Sequence, residues 1–331
     1  MPASAQRQYI ADFELNARFS GTFSIANAQL GVTKNGDHYL ACLLGDKTGS
    51  APARRWNMSP EEFKALPTDG FVHAEGRTQP FKGELQLIVE RIEPVRPSDE
   101  DLAELLPCAA RPIDEMFAEL ADLLGTIEQP ALKSLVGLYF EDEQLMSRFR
   151  QAPAAKQMHH AYIGGLLEHT LQLCHLAALI CPRYPKINRD LVLVGLFLHD
   201  LGKTRELSWD GAFGYTDRGE LVGHIVEGAI MLHDKAQQLM VEKGVRLPGQ
   251  TLTVLQHIIL SHHTQPEYGA AKIPATPEAI LVAQLDNLDA RTTMALDATR
   301  PDRAAAHDLG GNFTERNWAL GTRLFRPDPT A

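Results

Sequence analysis

The hydrophobic pattern of the chain changes period once, between residues 97 and 113, so the chain divides into two kinds of structure. Residues 8 to 97 alternate apolar and polar side chains with a period of two, as in FSGTFSIANAQLGVT and HYLACLLGD. This pattern predicts β-strands. From Ile113 onward, apolar residues recur three and four positions apart, as at Met116, Leu120 and Leu124, which predicts helices. We therefore predict a multidomain protein, a small β-barrel followed by an all-α helical bundle.

The N-terminal part has the features of a small barrel of the OB type. About five strands are separated by turn signals at 34–37 and 81–84 and by a helical interlude at 59–67, as a five-stranded barrel requires. Another small β domain is the alternative. We predict a barrel at 1–97, a linker and helical lead-in at 98–130, a helical domain at 131–300 and an extended C-terminal arm at 301–331.

Composition excludes several classes of protein. The longest apolar run, Leu191 to Leu198, is too short for a membrane helix, which needs about 20 residues. The N-terminus lacks the pattern of a signal peptide, and the four cysteines form no CxxC pair. We therefore expect a cytoplasmic protein with reduced thiols and no membrane partner. The net charge of -10 argues against a polycation that coats nucleic acid, although residues 1 to 97 are neutral, with 11 basic and 11 acidic residues.

Histidines are concentrated in the helical part, since 10 of the 13 lie between His159 and His263. His169 stands at helical spacing from apolar neighbours in GGLLEHTLQLC. The apolar segment LVLVGLFLHDLGK predicts a buried helix that ends at Gly202, a residue suited to a left-handed C-cap, with His199 and Asp200 in its last turn. A carboxylate in that position is costly to bury unless it is paired or bound to a cation.

Three further helices carry similar residues. His224 lies in GELVGHIVEGAIML, and His262 and His263 end the helix TLTVLQHIILSHH. Thr276 and Pro277 predict the start of a last helix, on which Asp286 shares a face with apolar residues. Mixed imidazole and carboxylate donors suit Mn, Fe, Co or Zn better than an all-oxygen Mg site.

The order of these residues, H...HD...H...HH...D, resembles the HD-domain metal-dependent phosphohydrolase superfamily. Six segments are similar to those of its YhaM-type branch. They are MHHAYIGGLLEHT, LFLHDLGKTREL, GHIVEGA, IILSHH, LDNLDA and, near the end of the chain, FTERNWALGTRLFRP. Over nearly the whole chain, the resemblance implies an OB-fold nucleic-acid-binding domain joined to an HD domain. It also implies 3'-to-5' exoribonuclease activity on single-stranded RNA, with single-stranded DNA left open. Thr264 stands where this branch leads us to expect a glycine, and no GYP word follows His263, which disfavours a cyclic-di-GMP phosphodiesterase.

The resemblance also implies roles for individual residues. It gives one metal ion to His169, His199, Asp200 and Asp286, which makes Asp200 a bridge to a second ion held by His224, His262 and His263. Two divalent cations are implied, with Mn²⁺ preferred over Fe, Co, Zn or Mg. Lys203 is similar to the residue that contacts the substrate phosphate. His159 and His160 match the branch without an assigned role.

An OB-type barrel would bind the strand by stacking bases on exposed aromatic residues while basic residues follow the phosphates. The candidates are Tyr39, Trp56, Phe81, Arg54, Arg55, Arg77 and Lys82. Two other functions stay open, an HD nucleotidase or phosphatase acting on mononucleotides and a non-catalytic nucleic-acid-binding protein. The sequence also leaves self-association, the identity and number of the metal ions, and the physiological substrates open.

Overall fold

The computed structural model describes residues 7–67, 70–81, 84–156, 160–209, 213–300 and 312–327. The described residues fall into two compact units. One lies within 1–108, 209–214 and 298–331, and the other is formed by 109–208 and 215–297. Of the predicted linker and helical lead-in, residues 98–108 belong to the first unit and residues 109–130 to the second, and the division into four segments stays a prediction.

The first unit contains a closed five-stranded barrel. Its strands are β1 (Arg18–Val32), β2 (His38–Asp46), β3 (Gly49–Trp56), β4 (Gly70–Phe81) and β5 (Glu84–Pro94), with helix α1 (Pro60–Ala65) between β3 and β4. The strand order around the barrel is β1-β2-β3-β5-β4. Alternate residues fill the interior, as Leu40, Cys42 and Leu44 do on β2. The predicted OB-type barrel is therefore confirmed, as are its short helix and the turn at 34–37. Residues 82 and 83 of the other predicted turn lie outside the described residues.

Helix α2 (Asp99–Leu105) follows the barrel. Ser98 caps α2, since its hydroxyl accepts a hydrogen bond from the backbone of Asp101. The C-terminal arm is not extended over its described part, because β8 (Phe313–Asn317) and β9 (Thr322–Phe325) pair as an antiparallel hairpin. Its end from 328 and residues 301–311 lie outside the described residues.

The second unit is helical, as the sequence predicts. Its helices are α3 (Ile113–Gly125), α4 (Pro130–Phe140), α5 (Glu143–Gln151), α6 (Gly165–Ile180), α7 (Arg189–Leu198), α8 (Lys203–Glu206), α9 (Asp217–Lys243), α10 (Gly249–Ser261) and α11 (Pro277–Thr299). Two short strands, β6 (Leu207–Ser208) and β7 (Gly214–Tyr215), lie between α8 and α9. Among the described residues, we find no helix with both the length and the apolar character needed to cross a membrane.

Helix α7 is the centre of the helical unit. Asn188 caps its start by accepting a hydrogen bond from the backbone of Leu191, and every residue from Val192 to Leu198 is buried. Phe197 packs against the ring of Tyr139 at 5.7 Å and that of Phe149 at 5.8 Å between centroids. This packing fixes the end of α7, where the chemically active residues begin.

Candidate metal centre and nucleic-acid interface

The chain leaves α7 at two fully enclosed polar residues. His199 and Asp200 are 0% and 3% exposed. The Nδ1 atom of His199 donates a hydrogen bond to the carbonyl of Leu196 at 2.7 Å. Because a carbonyl can only accept, Nδ1 carries the proton and Nε2 has a free lone pair.

Asp200 directs its two carboxylate oxygens toward two different pairs of histidines. Its Oδ2 atom lies 3.4 Å from Nε2 of His199 and 3.8 Å from Nε2 of His169. Its Oδ1 atom lies 3.4 Å from Nε2 of His224 and 3.4 Å from Nε2 of His262. Two ligands bound to one ion at about 2.1 Å are themselves separated by about 3.0 to 3.5 Å. The three separations of 3.4 Å lie within this range and the fourth, 3.8 Å, lies just above it, so each oxygen is placed to share a cation with the histidines that it faces.

Helix α11 brings Asp286 to the first pair. Thr276 caps this helix, since its Oγ1 accepts a hydrogen bond from the backbone of Ala279 at 3.1 Å. The start predicted at Thr276 and Pro277 is therefore confirmed. Oδ1 of Asp286 lies 3.2 Å from Nε2 of His169, which places a second carboxylate beside that histidine.

His263 completes the second pair of histidines. Its ring lies 4.4 Å from that of His262 and 5.1 Å from that of His224 between centroids. Its Nδ1 donates to the carbonyl of Tyr268 at 2.7 Å. Thr264 has a φ of +67°, so a β-branched residue adopts the strained conformation that favours glycine. The backbone thus turns here as a glycine would, although the residue differs.

Glu206 holds His224 in place. Its carboxylate accepts hydrogen bonds from the backbone nitrogen of His224 at 2.9 Å and from Nδ1 at 3.0 Å. Gly223, with φ +74° and ψ 156°, interrupts the helical conformation of α9 immediately before this residue. The carboxylate therefore both caps the second part of α9 and aims Nε2 of His224 at Asp200.

Four buried polar atoms at this site have no hydrogen-bond partner among the described residues. They are Nε2 of His199, His224 and His262, and Oδ1 of Asp200. Buried polar atoms are almost always satisfied, and three imidazole lone pairs beside a carboxylate oxygen form a set of donors for a divalent cation. Ligand atoms of Asp200, His224, His262 and His263 lie within 4.8 Å of one another, as do those of His169, His199 and Asp200. The residues therefore fit metal ions.

The charges of the site keep its carboxylates ionised. Burial alone would raise the pKa of Asp200, but the ammonium group of Lys203 and the neighbouring imidazole of His199 hold that pKa well below its usual range. Burial, together with His262, lowers the pKa of His263 to about 4. Both effects produce the protonation states that metal ligands need.

Lys203 is not a solvated lysine. Its side chain is only 14% exposed, and its ammonium group donates a hydrogen bond to Oδ2 of Asp200 at 2.7 Å. The ammonium group therefore lies beside the carboxylate that faces both groups of histidines.

Three residues around the site received no role from the sequence: Asp289, His160 and Glu206. Oδ2 of Asp289 lies 2.8 Å from Nδ1 of His169 and 3.2 Å from Nε2 of His160. Asp289 follows Asp286 by one helical turn, and this spacing was a usable signal. No sequence signal pointed to Glu206, because a single glutamate in a charged segment resembles an ordinary surface residue. His159 lies outside the described residues.

Gly202 does not adopt the predicted left-handed conformation, since its φ is −59°. Close approach explains the glycine instead. A Cβ atom at this position would lie 2.1 Å from the carbonyl oxygen of His224 and 2.9 Å from the backbone nitrogen of Gly228. The missing side chain therefore lets α9 pack directly against the turn that follows Asp200.

On the barrel, an arginine lies among three aromatic rings. Tyr39 on β2 pairs with Trp56 on β3, and their ring centroids are 5.2 Å apart. The guanidinium of Arg54 lies 5.3 Å from the ring of Tyr39, 5.6 Å from that of Trp56 and 5.6 Å from that of Phe81. Trp56 and Phe81 are 44% and 41% exposed. We call Tyr39, Arg54, Trp56 and Phe81 the barrel cluster.

Arg55 does not belong to the barrel cluster. Neighbouring residues of a strand point to opposite faces, and its guanidinium pairs with Glu62 of α1 at 2.8 Å. Arg77 is exposed on β4. Lys82 lies outside the described residues, so its binding role stays a prediction.

Comparisons with known proteins agree with this architecture. Residues 166–291 match the family model of the HD domain. A 3'-5' exoribonuclease YhaM from Geobacillus sp. (strain WCH70) is 31% identical over 96% of this chain and 94% of the relative. A 3'-5' exoribonuclease YhaM from Shouchella clausii (strain KSM-K16) is 32% identical over 92% of each chain.

Solved structures resemble the barrel part. The second OB-fold domain of replication protein A from Methanococcus maripaludis covers 28% of this chain and 98% of its own length, with 17% identity and a TM-score of 0.23. Because the two YhaM proteins match from end to end and the HD-domain model covers the metal-site helices, the chain belongs to the YhaM family of 3'-5' exoribonucleases.

Proposed function

We propose that the protein is a metal-dependent 3'-to-5' exoribonuclease that hydrolyses the phosphodiester bonds of single-stranded RNA. The observation that carries this proposal is Asp200, whose two buried oxygens face two separate pairs of imidazole Nε2 atoms. Such a pair of sites is typical of enzymes that hydrolyse phosphate esters with two cations. The relatives named above carry the same activity in their names.

The candidate ligands would form two groups, and Asp200 would belong to both. His169, His199, Asp200 and Asp286 would hold one ion, and His224, His262 and His263 would hold the second with Asp200 as the bridge. A bound divalent cation supplies Lewis acidity and a water molecule of lowered pKa. We propose Mn²⁺ for both positions, because the donors combine imidazole with carboxylate.

The chain's own residues then bind and orient the substrate. Lys203 would donate from Nζ to a phosphate oxygen of the scissile bond and offset its negative charge. Its attachment to Asp200 at 2.7 Å keeps that ammonium beside the reacting group. Glu206 and Asp289 orient His224 and His169 and keep their Nδ1 atoms protonated.

The barrel cluster would bind the RNA strand. Tyr39, Trp56 and Phe81 offer faces for stacking, while Arg54 offers a positive charge for phosphate. We propose a cytoplasmic location, because all four cysteines are free thiols.

The test is a time course with 5'-labelled single-stranded RNA after chelation and re-addition of Mn²⁺, Mg²⁺, Co²⁺ or Zn²⁺. We expect a metal-dependent ladder that shortens from the 3' end. Matched DNA and mononucleotides serve as controls. Intact RNA with dephosphorylated mononucleotides would instead identify a nucleotidase, and binding without hydrolysis under every metal would identify a non-catalytic RNA-binding protein.

Replacing Asp289 with asparagine should weaken metal binding by about 10- to 100-fold, as is usual when the partner of a ligating histidine is changed. The amide cannot supply the negative charge that holds the Nδ1 proton of His169. Isothermal titration with Mn²⁺ measures this loss. Asn287→Ala, an exposed change on the same helix, is the control, and equal Mn²⁺ affinity in both variants would contradict the orienting role of Asp289.

Replacing Arg54 with alanine should raise the Kd for a single-stranded 20-mer about 5- to 50-fold, because stacking and charge are lost together. Hydrolysis of a dinucleotide should stay unchanged, since Arg54 is not one of the candidate metal ligands. Fluorescence anisotropy with labelled RNA gives the Kd. Arg91→Ala removes an exposed arginine of the barrel and should leave the Kd as it is, and an effect as large as that of Arg54→Ala would show nonspecific electrostatics.

A further inference from the structure

The C-terminal hairpin presents one face of arginine and aromatic residues. Arg316 lies directly opposite Arg323 in the register of β8 and β9, and Phe313 lies opposite Phe325. Residues directly opposite each other in an antiparallel pair point to the same face. The two phenylalanine rings contact each other at 5.4 Å between centroids, and the guanidinium of Arg323 lies 5.6 Å from the ring of Phe313.

The arginine and aromatic face of the hairpin is exposed to solvent, whereas Thr314 on the opposite face is buried. Phe313 and Phe325 are 47% and 53% exposed, and Trp318, in the turn between the strands, is 80% exposed. On the other side, Thr314 is buried, and its Oγ1 accepts a hydrogen bond from the backbone of Leu324 at 3.0 Å. Large aromatic residues in one exposed patch usually mark a surface that binds a partner.

The charge of the hairpin identifies the kind of partner. Two like charges directly opposite each other destabilise a strand pair, and neither Arg316 nor Arg323 forms an ion pair with a described residue. Residues 312 to 327 contain three arginines and one glutamate, in a chain with a net charge of -10. An anionic partner would offset the repulsion between the two arginines.

We propose that the hairpin face formed by Phe313, Arg316, Arg323 and Phe325, together with Trp318 in the adjoining turn, is a second contact for single-stranded nucleic acid. It rests on the function proposed above, so the strand is RNA. The arrangement has the same chemistry as the barrel cluster, where Arg54 lies over exposed rings. Phosphates pair with the two arginines, and bases stack on Trp318 and the phenylalanines. The aromatic faces favour a nucleic acid over an acidic protein surface, which offers no bases to stack.

The experiment measures RNA binding by the full chain with EDTA present, using a fluorescein-labelled single-stranded RNA 20-mer at several salt concentrations. Arg316→Ala combined with Arg323→Ala should raise the Kd at least about tenfold. It should also make the slope of log K against log salt shallower by about 1.4, since each phosphate contact contributes about 0.7 on a single strand. The Arg316→Lys and Arg323→Lys pair should keep the slope, and Arg91→Ala is the matched control.

Trp318 offers a separate test. Trp318→Ala should raise the Kd at least about fivefold, whereas Trp318→Phe should recover most of the affinity, because stacking is worth about 1 to 3 kcal/mol per base. In a Trp56→Phe background, RNA should quench the tryptophan fluorescence, and the further change Trp318→Phe, which leaves only the buried Trp209, should abolish that quenching. The Trp318→Ala and Trp318→Phe variants of the otherwise unchanged chain should hydrolyse a dinucleotide at the wild-type rate.

The outcomes separate this proposal from the proposed function. If the wild-type chain degrades RNA but the hairpin variants keep its Kd and its salt slope, and RNA does not quench Trp318, only the hairpin contact is overturned. If the hairpin variants bind RNA more weakly but the wild-type chain does not hydrolyse RNA, the hairpin contact is supported and the proposed nuclease activity is overturned. Variants that change the molar mass in light scattering but not the Kd would show an interface between copies of the chain, and that result also overturns the proposal.

Discussion

Replacing Asp200 with alanine is expected to reduce RNA hydrolysis by at least about 1,000-fold, the larger end of what loss of one charge-stabilising group costs. The carboxylate faces His199 and His169 through one oxygen and His224 and His262 through the other. A single substitution therefore removes a ligand from both candidate cation positions.

The fold should survive this substitution. The apolar packing of α7 ends at Leu198, and Asp286 and Glu206 remain as counter-charges for Lys203. Metal content after dialysis, circular dichroism and the RNA time course together measure the result. Asp114→Asn, a change to an exposed carboxylate of the same unit, is the control. Full activity in a folded Asp200→Ala protein would contradict the assignment of Asp200 as a metal ligand.

Replacing Gly202 with alanine adds a single methyl group and should nevertheless lower both stability and RNA hydrolysis. The new Cβ would lie 2.1 Å from the carbonyl oxygen of His224, so either α9 or the turn after Asp200 must move. Overpacking of this kind costs about 1 to 3 kcal/mol of the free energy of unfolding. Because a displacement of about 1 Å can cost about 100-fold in rate, we expect a loss of RNA hydrolysis on that scale.

Gly137→Ala is the matched control. Gly137 lies inside α4 with no other atom within 4 Å of an added Cβ, so alanine should raise the free energy of unfolding by up to about 1 kcal/mol. Chemical denaturation and RNA hydrolysis are measured for both variants. If Gly202→Ala were as stable and as active as Gly137→Ala, the close approach of α9 could not be what positions His224.

The sequence was sufficient to single out the candidate metal ligands because they stand inside or directly after apolar helical patterns. His169, Asp200 and Asp286 interrupt apolar helical faces, and a charged group in such a position needs a partner. The barrel was predictable for the same kind of reason, since alternation such as that around Leu40 and Cys42 leaves little choice of structure.

The remaining features depend on three-dimensional proximity. Glu206 becomes important only because a break at Gly223 brings the backbone of His224 within 2.9 Å of it. Arg54 and Arg55 look equivalent in the sequence, but strand alternation and the ion pair with Glu62 direct them to opposite faces. The need for glycine at 202 was visible, whereas its cause, contact with a distant helix, was not.

The closure of the barrel has a thermodynamic consequence. In the described part of the barrel, β3 and β5 join only through Ala53 with Leu87 and Arg54 with Ile88. Arg54 is thus both the centre of the barrel cluster and half of this narrow seam. A ligand that binds only the closed form stabilises it by about 2.7 kcal/mol at a 100-fold excess over its Kd. An RNA bound at Arg54, as proposed above, would therefore also stabilise the pairing of β3 with β5.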